Sequence, residues 1–354
     1  MRIGIDVQST LGRKTGIGLY TANLLQALRR VAPQHEYVEL SWGRTDELRT
    51  DQRLWWEQVE LPRRARAAQV DLLHLTGFGV PRWHPCPTLL TVHDLIGLLF
   101  PANLPPISRL YWSRWLPRTI RWADQVIADS EHTRRDLIRL LGIPAERIEV
   151  VYLGVDQAFH PLKDQVALEA VRHKYRLPSA IILYVGTLEP RKGLNTLISA
   201  YATLAADIPH HLIIAGKRGW YTEPLFRQVK ALGLSQRVHF TDYVADEDLP
   251  GLYNLADLFV YPSRYEGFGL PPLEAIACGV PVVCSNAASL PEVVGDAALL
   301  VPPDDAEALA AAIRRVLDDK ALRGEMRARG LEQAGRFTWE KTARRTAGIY
   351  GKML

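Results

Sequence analysis

The chain has 354 residues, 47% of them hydrophobic and 23% charged. That composition excludes a disordered or fibrous chain and suits two domains of ordinary size. Lys and Arg number 43 against 39 Asp and Glu, too small an excess for a nucleic-acid footprint, so no nucleic acid partner is expected. No run of about 18 apolar residues reads as a membrane span. Residues 1–7 read as a first strand rather than a leader peptide, which points to the cytoplasm. Cys86, Cys278 and Cys284 are odd in number and lack CxxC or Cys/His ligand spacing, so they read as reduced core thiols.

In chain order, residues 2–7, 88–93, 125–128 and 148–151 are short β-branched runs. Segments of helical period such as 17–31 separate them, the βαβ rhythm of a parallel sheet covered on both faces. Between the first strand and helix lies a glycine-bearing loop, residues 11–18, in which Gly16 and Gly18 let a backbone approach a phosphate. A nicotinamide fingerprint wants GxGxxG directly after the strand; here the loop is longer and Thr21 replaces the third glycine, which argues against a dehydrogenase. The run Thr91-Val92-His93-Asp94 ends a buried strand, where polar side chains of open α/β sheets face ligands. His93 is therefore either a ligand contact or a hydrogen-bonded structural residue, and Asp94 either orients it or caps the next segment. Residues 108–123 carry Arg109, Arg114, Arg118 and Arg121 with no acid, and Tyr111, Trp112, Trp115, Leu116, Ile120 and Trp122 largely on another side. This is an amphipathic helix, kinked at Pro117. Its arginines either meet anionic lipid headgroups and a lipid-linked acceptor or simply face water.

A second strand series follows at 181–185, 211–215, 238–241, 258–261 and 280–285, and the proline-flanked segment 153–178 marks the domain boundary. Gly186-Thr187-Leu188-Glu189-Pro190-Arg191-Lys192-Gly193 follows a strand and opens a helix, gathering two cations and a helix N-terminus into an anion site. Asp246-Glu247-Asp248 precedes apolar residues at helical spacing, so Asp246 is expected to be an N-cap rather than a metal ligand. In Tyr265-Glu266-Gly267-Phe268-Gly269-Leu270-Pro271-Pro272-Leu273-Glu274, two carboxylates eight residues apart bracket a glycine loop and a helix start. The carboxylates accept from ligand hydroxyls and the loop amides donate, as a polyhydroxylated ligand requires. The plainer alternative places Glu274 in a first helical turn and Glu266 on a surface loop.

The EGFGLPPLE core resembles the signature of retaining glycosyltransferases of family 4, and the other segments match that family in order along most of the chain. The resemblance implies an α/β GT-B fold of two Rossmann-like doubly wound domains facing an interdomain cleft. Residues 1–160 would bind the acceptor, residues 161–337 the nucleotide sugar, and helix 338–354 would cross back to the first domain. It also implies a diphosphate on Arg191 and Lys192, with Lys192 on the family's lysine. Thr187 stands where many members have arginine, so Arg191 supplies that charge. Sugar hydroxyls fall to Glu266 and the Gly267, Phe268, Gly269 and Leu270 loop, the ribose to Glu274, and the base to the backbone of Tyr243 and Val244. The Gly16 amide and Lys14 lie over the diphosphate, and His93 beside the reacting sugar. His93, Glu266, Arg191 and Lys192 form the implied catalytic set, with no metal or other cofactor expected.

The implied reaction moves a hexosyl unit, mannosyl from GDP-mannose being favoured, to a saccharide or lipid-linked saccharide in cell-surface polysaccharide or lipopolysaccharide synthesis. It would occur at the inner face of the cytoplasmic membrane with peripheral contact. The rivals are a UDP-hexose-dependent transferase and a non-catalytic sugar-nucleotide or saccharide-binding protein of the same fold. A glycosidase pairing Glu266 with Glu274 has no use for the Arg191-Lys192 anion site.

Overall fold

The computed structural model describes residues 1–12, 16–43, 45, 48–101, 109–218 and 222–354. Lys14 and Ser108 lie outside the described residues. The chain forms two compact units, Met1–Gly154 with Phe337–Leu354, and Val155–Arg336.

The first unit holds a six-stranded parallel sheet of β1 (Arg2–Asp6), β2 (Glu36–Leu40), β3 (Leu72–Leu75), β4 (Thr88–Val92), β5 (Gln125–Ala128) and β6 (Ile148–Val150), in the order β2-β1-β3-β4-β5-β6. β3 and β4 are buried at every position, as strands covered on both faces must be. Apolar pattern alone does not single out β2 and β3. The former is an edge strand with two glutamates, and the latter is four residues long with His74 at its centre. That histidine is fully buried yet bonded on both sides, Nδ1 to the Tyr350 hydroxyl at 2.7 Å and Nε2 to the Thr91 hydroxyl at 2.9 Å, as a buried polar group requires.

The helix Gly16–Val31 turns Tyr20, Leu24 and Leu28 into the core, and the terminal helix Trp339–Met353 packs beside it. Thr338 caps that terminal helix by accepting from the Lys341 amide. Thr342 Oγ1 donates to Tyr152 O at 2.8 Å and Arg345 to Val150 O at 3.1 Å. At Gly154 a Cβ would overlap the backbone of Trp339, so the chain closes tightly onto this helix.

The second unit has β7 (Ile181–Val185), β8 (His211–Ala215), β9 (Val238–Asp242), β10 (Leu258–Tyr261), β11 (Val282–Ser285) and β12 (Ala298–Val301), all parallel, in the order β12-β11-β10-β7-β8-β9. The order reverses between β7 and β10, and loops that leave the carboxyl ends of strands at such a point form the ligand crevice of doubly wound sheets.

One local expectation is corrected. Asp246 is not an N-cap: the helix runs Leu249–Asn254 with Asp248 at the cap position and no acid in its first turn. Asp248 is drawn off by Lys174 and Tyr175, each at 2.6 Å, while Asp246 accepts from the Tyr243 hydroxyl at 3.0 Å. Pro117 ends a widened π-helical turn, Tyr111–Trp115, and sits in the first turn of Leu116–Ile120, where its missing N–H costs little. Cys86 is half-buried and Cys278 and Cys284 are buried, all as free thiols. No described helix is long and apolar enough to cross a membrane.

Candidate active site

In the second unit the loops after β7 and β10 meet beside the reversal point. After β7 the chain makes a tight turn, Pro190–Lys192, and passes through Gly193 at φ 67° into the helix Leu194–Ala202. A Cβ on Gly193 would overlap the Pro262 carbonyl, so a left-handed turn and a close approach both demand glycine here. The Arg264 amide donates to Arg191 O at 2.8 Å, locking the second loop to the first.

This docking brings Lys192 and Glu266 together, both nearly buried. Lys192 Nζ lies 2.7 Å from Glu266 Oε1 and donates to the Tyr261 hydroxyl at 2.8 Å. The same Oε1 accepts from Tyr261 at 3.0 Å and Ser263 Oγ at 2.5 Å, and Arg191 Nη1 stands 3.2 Å away. Burial alone would raise the Glu266 pKa, but Lys192, then Arg191 and the hydrogen bonds, outweigh it and hold the carboxyl at about 2. Burial presses Lys192 below its usual range against the pull of Glu266. All four donors converge on Oε1, which leaves Oε2 of an ionised carboxylate to receive ligand hydroxyls. Two N–H groups of Lys192 are engaged, and the third can serve a phosphate oxygen. Arg191 is held by Glu189 Oε2 at 3.0 Å and Tyr265 O at 2.9 Å.

The glycine loop after Glu266 is buried through Gly269, which has φ 114° and no room for a Cβ against Leu290 at 2.8 Å. Ser289 Oγ lies 3.0 Å and 2.6 Å from the carbonyls of Glu266 and Phe268 and shares its proton between them. The helix Leu270–Ala277 follows. Pro271 and Pro272 have no N–H, so the amides ahead of Leu273 at this helix start are those of Gly269 and Leu270. Glu274 is the fifth residue of that helix, past the first turn. It is half-buried, accepts from the Tyr253 hydroxyl at 2.8 Å, and is pushed up to about 7 by burial, then by Asp156 and Asp246. Val244 is buried and Tyr243 exposed after β9. No cluster of three metal-ligating side chains occurs among the described residues.

In the first unit His93 follows β4 and faces Asp129, which follows β5; the register pairs Val92 with Ala128 and so sets the next residues opposite each other. Nδ1 lies 2.6 Å from Asp129 Oδ2 and Nε2 2.9 Å from Thr76 O. Asp94 accepts from the Ile96 amide at 2.9 Å just ahead of the next helix, and Asp129 is the acid bonded to the His93 ring. Gly16 opens its helix at the surface with nothing within 4 Å of an added Cβ.

Residues 169–333 match the family model of glycosyl transferases group 1, and residues 15–159 that of glycosyltransferase family 4. O-antigen chain mannosyltransferase B of Escherichia coli is 40% identical over 263 residues, covering 73% of this chain and 69% of the relative. The chain belongs to glycosyltransferase family 4. The serotype-specific mannosyltransferase WbdA of Escherichia coli is 34% identical over 277 residues, 76% of this chain, but the match spans only 34% of that protein. Among solved structures, sucrose-phosphate synthase from Thermosynechococcus elongatus superposes over 99% of this chain and 98% of its own with TM-score 0.78 at 25% identity. The fold is accordingly GT-B, and the enzyme is a glycosyltransferase.

For this family 4 glycosyltransferase the motif residues were legible, but their supports were not. Tyr261, Ser263 and Ser289 sit in or near the motif as ordinary strand and loop residues. Asp129 is recognisable only when the ends of β4 and β5 are set side by side.

Proposed function

We propose that the protein is a retaining mannosyltransferase that moves the sugar of GDP-mannose to a hydroxyl of a saccharide or lipid-linked saccharide in cell-surface polysaccharide synthesis. The carrying observation is the Arg191, Lys192 and Glu266 cluster at the strand-order reversal of the second unit. Cations there take the diphosphate, and Glu266 Oε2 takes sugar hydroxyls. Glu274, with a carboxyl near 7, pairs with the ribose hydroxyls, and the Tyr243-Val244 turn meets the base. In the first unit, considered by itself, His93 and the Gly16 amide are the residues we assign to ligand contact, and acceptor binding falls to that unit.

Charge develops on the departing phosphate, and fixed cations and amides stabilise it without reorganisation. Four donors on Glu266 Oε1 hold that carboxylate as an ionised acceptor and blunt it as a nucleophile. This supports front-face attack by the acceptor hydroxyl with the leaving phosphate taking its proton. The 40% identity to an O-antigen chain mannosyltransferase supports mannose and surface polysaccharide. Exposed Leu110 beside exposed Arg109, Arg114 and Arg118 supports peripheral contact with an anionic membrane.

The test is turnover of radiolabelled GDP-mannose against UDP-glucose, UDP-galactose and ADP-glucose with a chelator present. Release of GDP with transfer or hydrolysis of mannose is expected. Turnover of a UDP-hexose alone replaces the donor, and no turnover of any donor returns the chain to a binding protein.

A further inference from the structure

We infer that Asp129 is a positioning residue that keeps His93 protonated on the ring edge opposite it, so that His93 meets its ligand as a hydrogen-bond donor and not as a general base. The inference deepens the glycosyl-transfer proposal and rests on it only for the identity of the ligand.

Both ring nitrogens of His93 face oxygens, Asp129 Oδ2 at 2.6 Å and Thr76 O at 2.9 Å. A backbone carbonyl only accepts, so Nε2 carries a hydrogen. An ionised carboxylate accepts and a protonated one donates, so a second proton lies on the line between Oδ2 and Nδ1 whichever atom owns it. The pair therefore holds two protons and no net charge. Losing either one sets a ring lone pair against an oxygen, at Thr76 or at Asp129. Among the described residues Asp129 Oδ1 accepts no hydrogen bond, so His93 is the partner on which this buried carboxyl depends.

The ring has little freedom to escape that arrangement. Tyr20 packs edge-on at 4.7 Å between centroids, and a Cβ on Gly77, whose φ is 154°, would stand 3.2 Å from the ring and 2.9 Å from Ile17. Behind Asp129, Ser130 caps the helix Glu131–Leu141 by accepting from the Thr133 amide at 3.0 Å, and Thr133 Oγ1 reaches His93 O at 3.4 Å.

The neighbouring titratable groups favour the same state. Asp94 adds negative charge nearby, Tyr20 is held as a neutral phenol bonded to Thr91, and His74 is pushed down to about 3 by burial and then by His93. Burial opposes protonation of His93, but Asp129 and the Thr76 carbonyl outweigh it and hold the ring above the usual histidine range. A ligand oxygen that reaches the Nε2 edge beside the Thr76 carbonyl shares this N–H. The matching group on a nucleotide sugar is an acceptor oxygen.

The first test uses the intact protein without substrate: nitrogen NMR of 15N-histidine-labelled protein, with the His93 signals assigned by their loss in His93→Gln. Protonated-type Nε2 through the neutral range and a titration midpoint above the ordinary value of about 6.5 are expected. A bare Nε2 at neutral pH, or a midpoint at or below that value, overturns the inference whatever the protein transfers.

The second test is the pH dependence of kcat with the preferred donor. For the natural protein kcat should hold level as pH falls from about 8 to about 6, whereas a base loses activity over that range. In Asp129→Leu, which removes the carboxyl and offers no amide to donate to Nδ1, kcat should drop at least about tenfold at neutral pH with the donor KM within about twofold. That variant should then regain rate as pH falls and the ring charges. A variant that loses stability but keeps the natural pH profile marks Asp129 as purely structural.

Discussion

Glu266 in the second unit and Glu57 in the first are both buried glutamates, shifted in opposite directions from the ordinary carboxyl range. Glu266 receives two hydroxyls, a lysine and an arginine on one oxygen and stays ionised down to about 2. Glu57 is fully buried in the turn Trp56–Glu60 and receives a hydrogen bond from the Tyr111 hydroxyl. Burial first, against help from Tyr111 and Arg53, pushes it up to about 7. Arg53 packs 4.0 Å over the Phe78 ring. Both acids are buried, and what separates the carboxyl held low from the one pushed high is the number of donors and cations aimed at it.

The sharpest way to break that comparison is to neutralise each acid in turn. Glu266→Gln should lower kcat by about 10²–10³-fold while leaving the nucleoside diphosphate Kd within about threefold, and Glu57→Gln should leave kcat within about twofold. Steady-state kinetics with calorimetric titration reads both; similar losses in the two variants would erase the distinction.

Next in size is Lys192→Ala, which leaves Glu266 buried with Arg191 as its remaining cation. Breaking such a pair costs up to about 3–5 kcal/mol, read by chemical denaturation, and the same variant should bind nucleoside diphosphate more weakly. Unchanged stability would show that the pair is not buried as described.

The two acids also predict opposite pH limbs. Glu266 falls from 4.5 to about 2 on folding, so its stabilisation is complete above about pH 4.5 and is lost as pH falls toward about 2. Glu57 rises from 4.5 to about 7. The native state then binds the extra proton between those values, and stability falls as pH rises through that window and levels off above it. Glu57→Gln should therefore stabilise the protein by on the order of 3 kcal/mol near pH 8 and by almost nothing near pH 4.5. Denaturant midpoints at the two pH values check this, and an equal shift at both would assign the effect to packing.

The smallest expected effect concerns Glu189, a partly exposed acid on Arg191 at 3.0 Å. Glu189→Gln should tighten nucleoside diphosphate binding about three- to fivefold, the scale of a surface ion pair. Weaker binding would mean that Glu189 is needed to aim Arg191.

The same contrast explains what the sequence disclosed. Glu266, Lys192 and the glycine loop stood out because their residue types and spacing form a recognisable motif, and the structure brings Lys192 and Glu266 together; most strands were legible because fully covered strands are apolar throughout. Glu57 was not, since a glutamate in a helical segment with arginines reads as surface until Tyr111 and Gly79 are seen around it. β2 and β3 escaped notice because two glutamates at an edge and a buried, bonded histidine break the apolar pattern, while β12 is apolar but only four residues long. Asp246 was misplaced by two residues as a cap because tertiary bonds from Lys174 and Tyr175 decide how Asp248 is used. Asp129 was missed because its pairing with His93 spans 36 residues and follows from strand register.

The most direct test of a diphosphate site built from Arg191 and Lys192 without metal is calorimetric titration of the protein with GDP, UDP and ADP, each with and without a chelator. Preferential binding of GDP that the chelator leaves unchanged is the expected result. Binding that disappears with the chelator, or no binding of any nucleoside diphosphate, would contradict it.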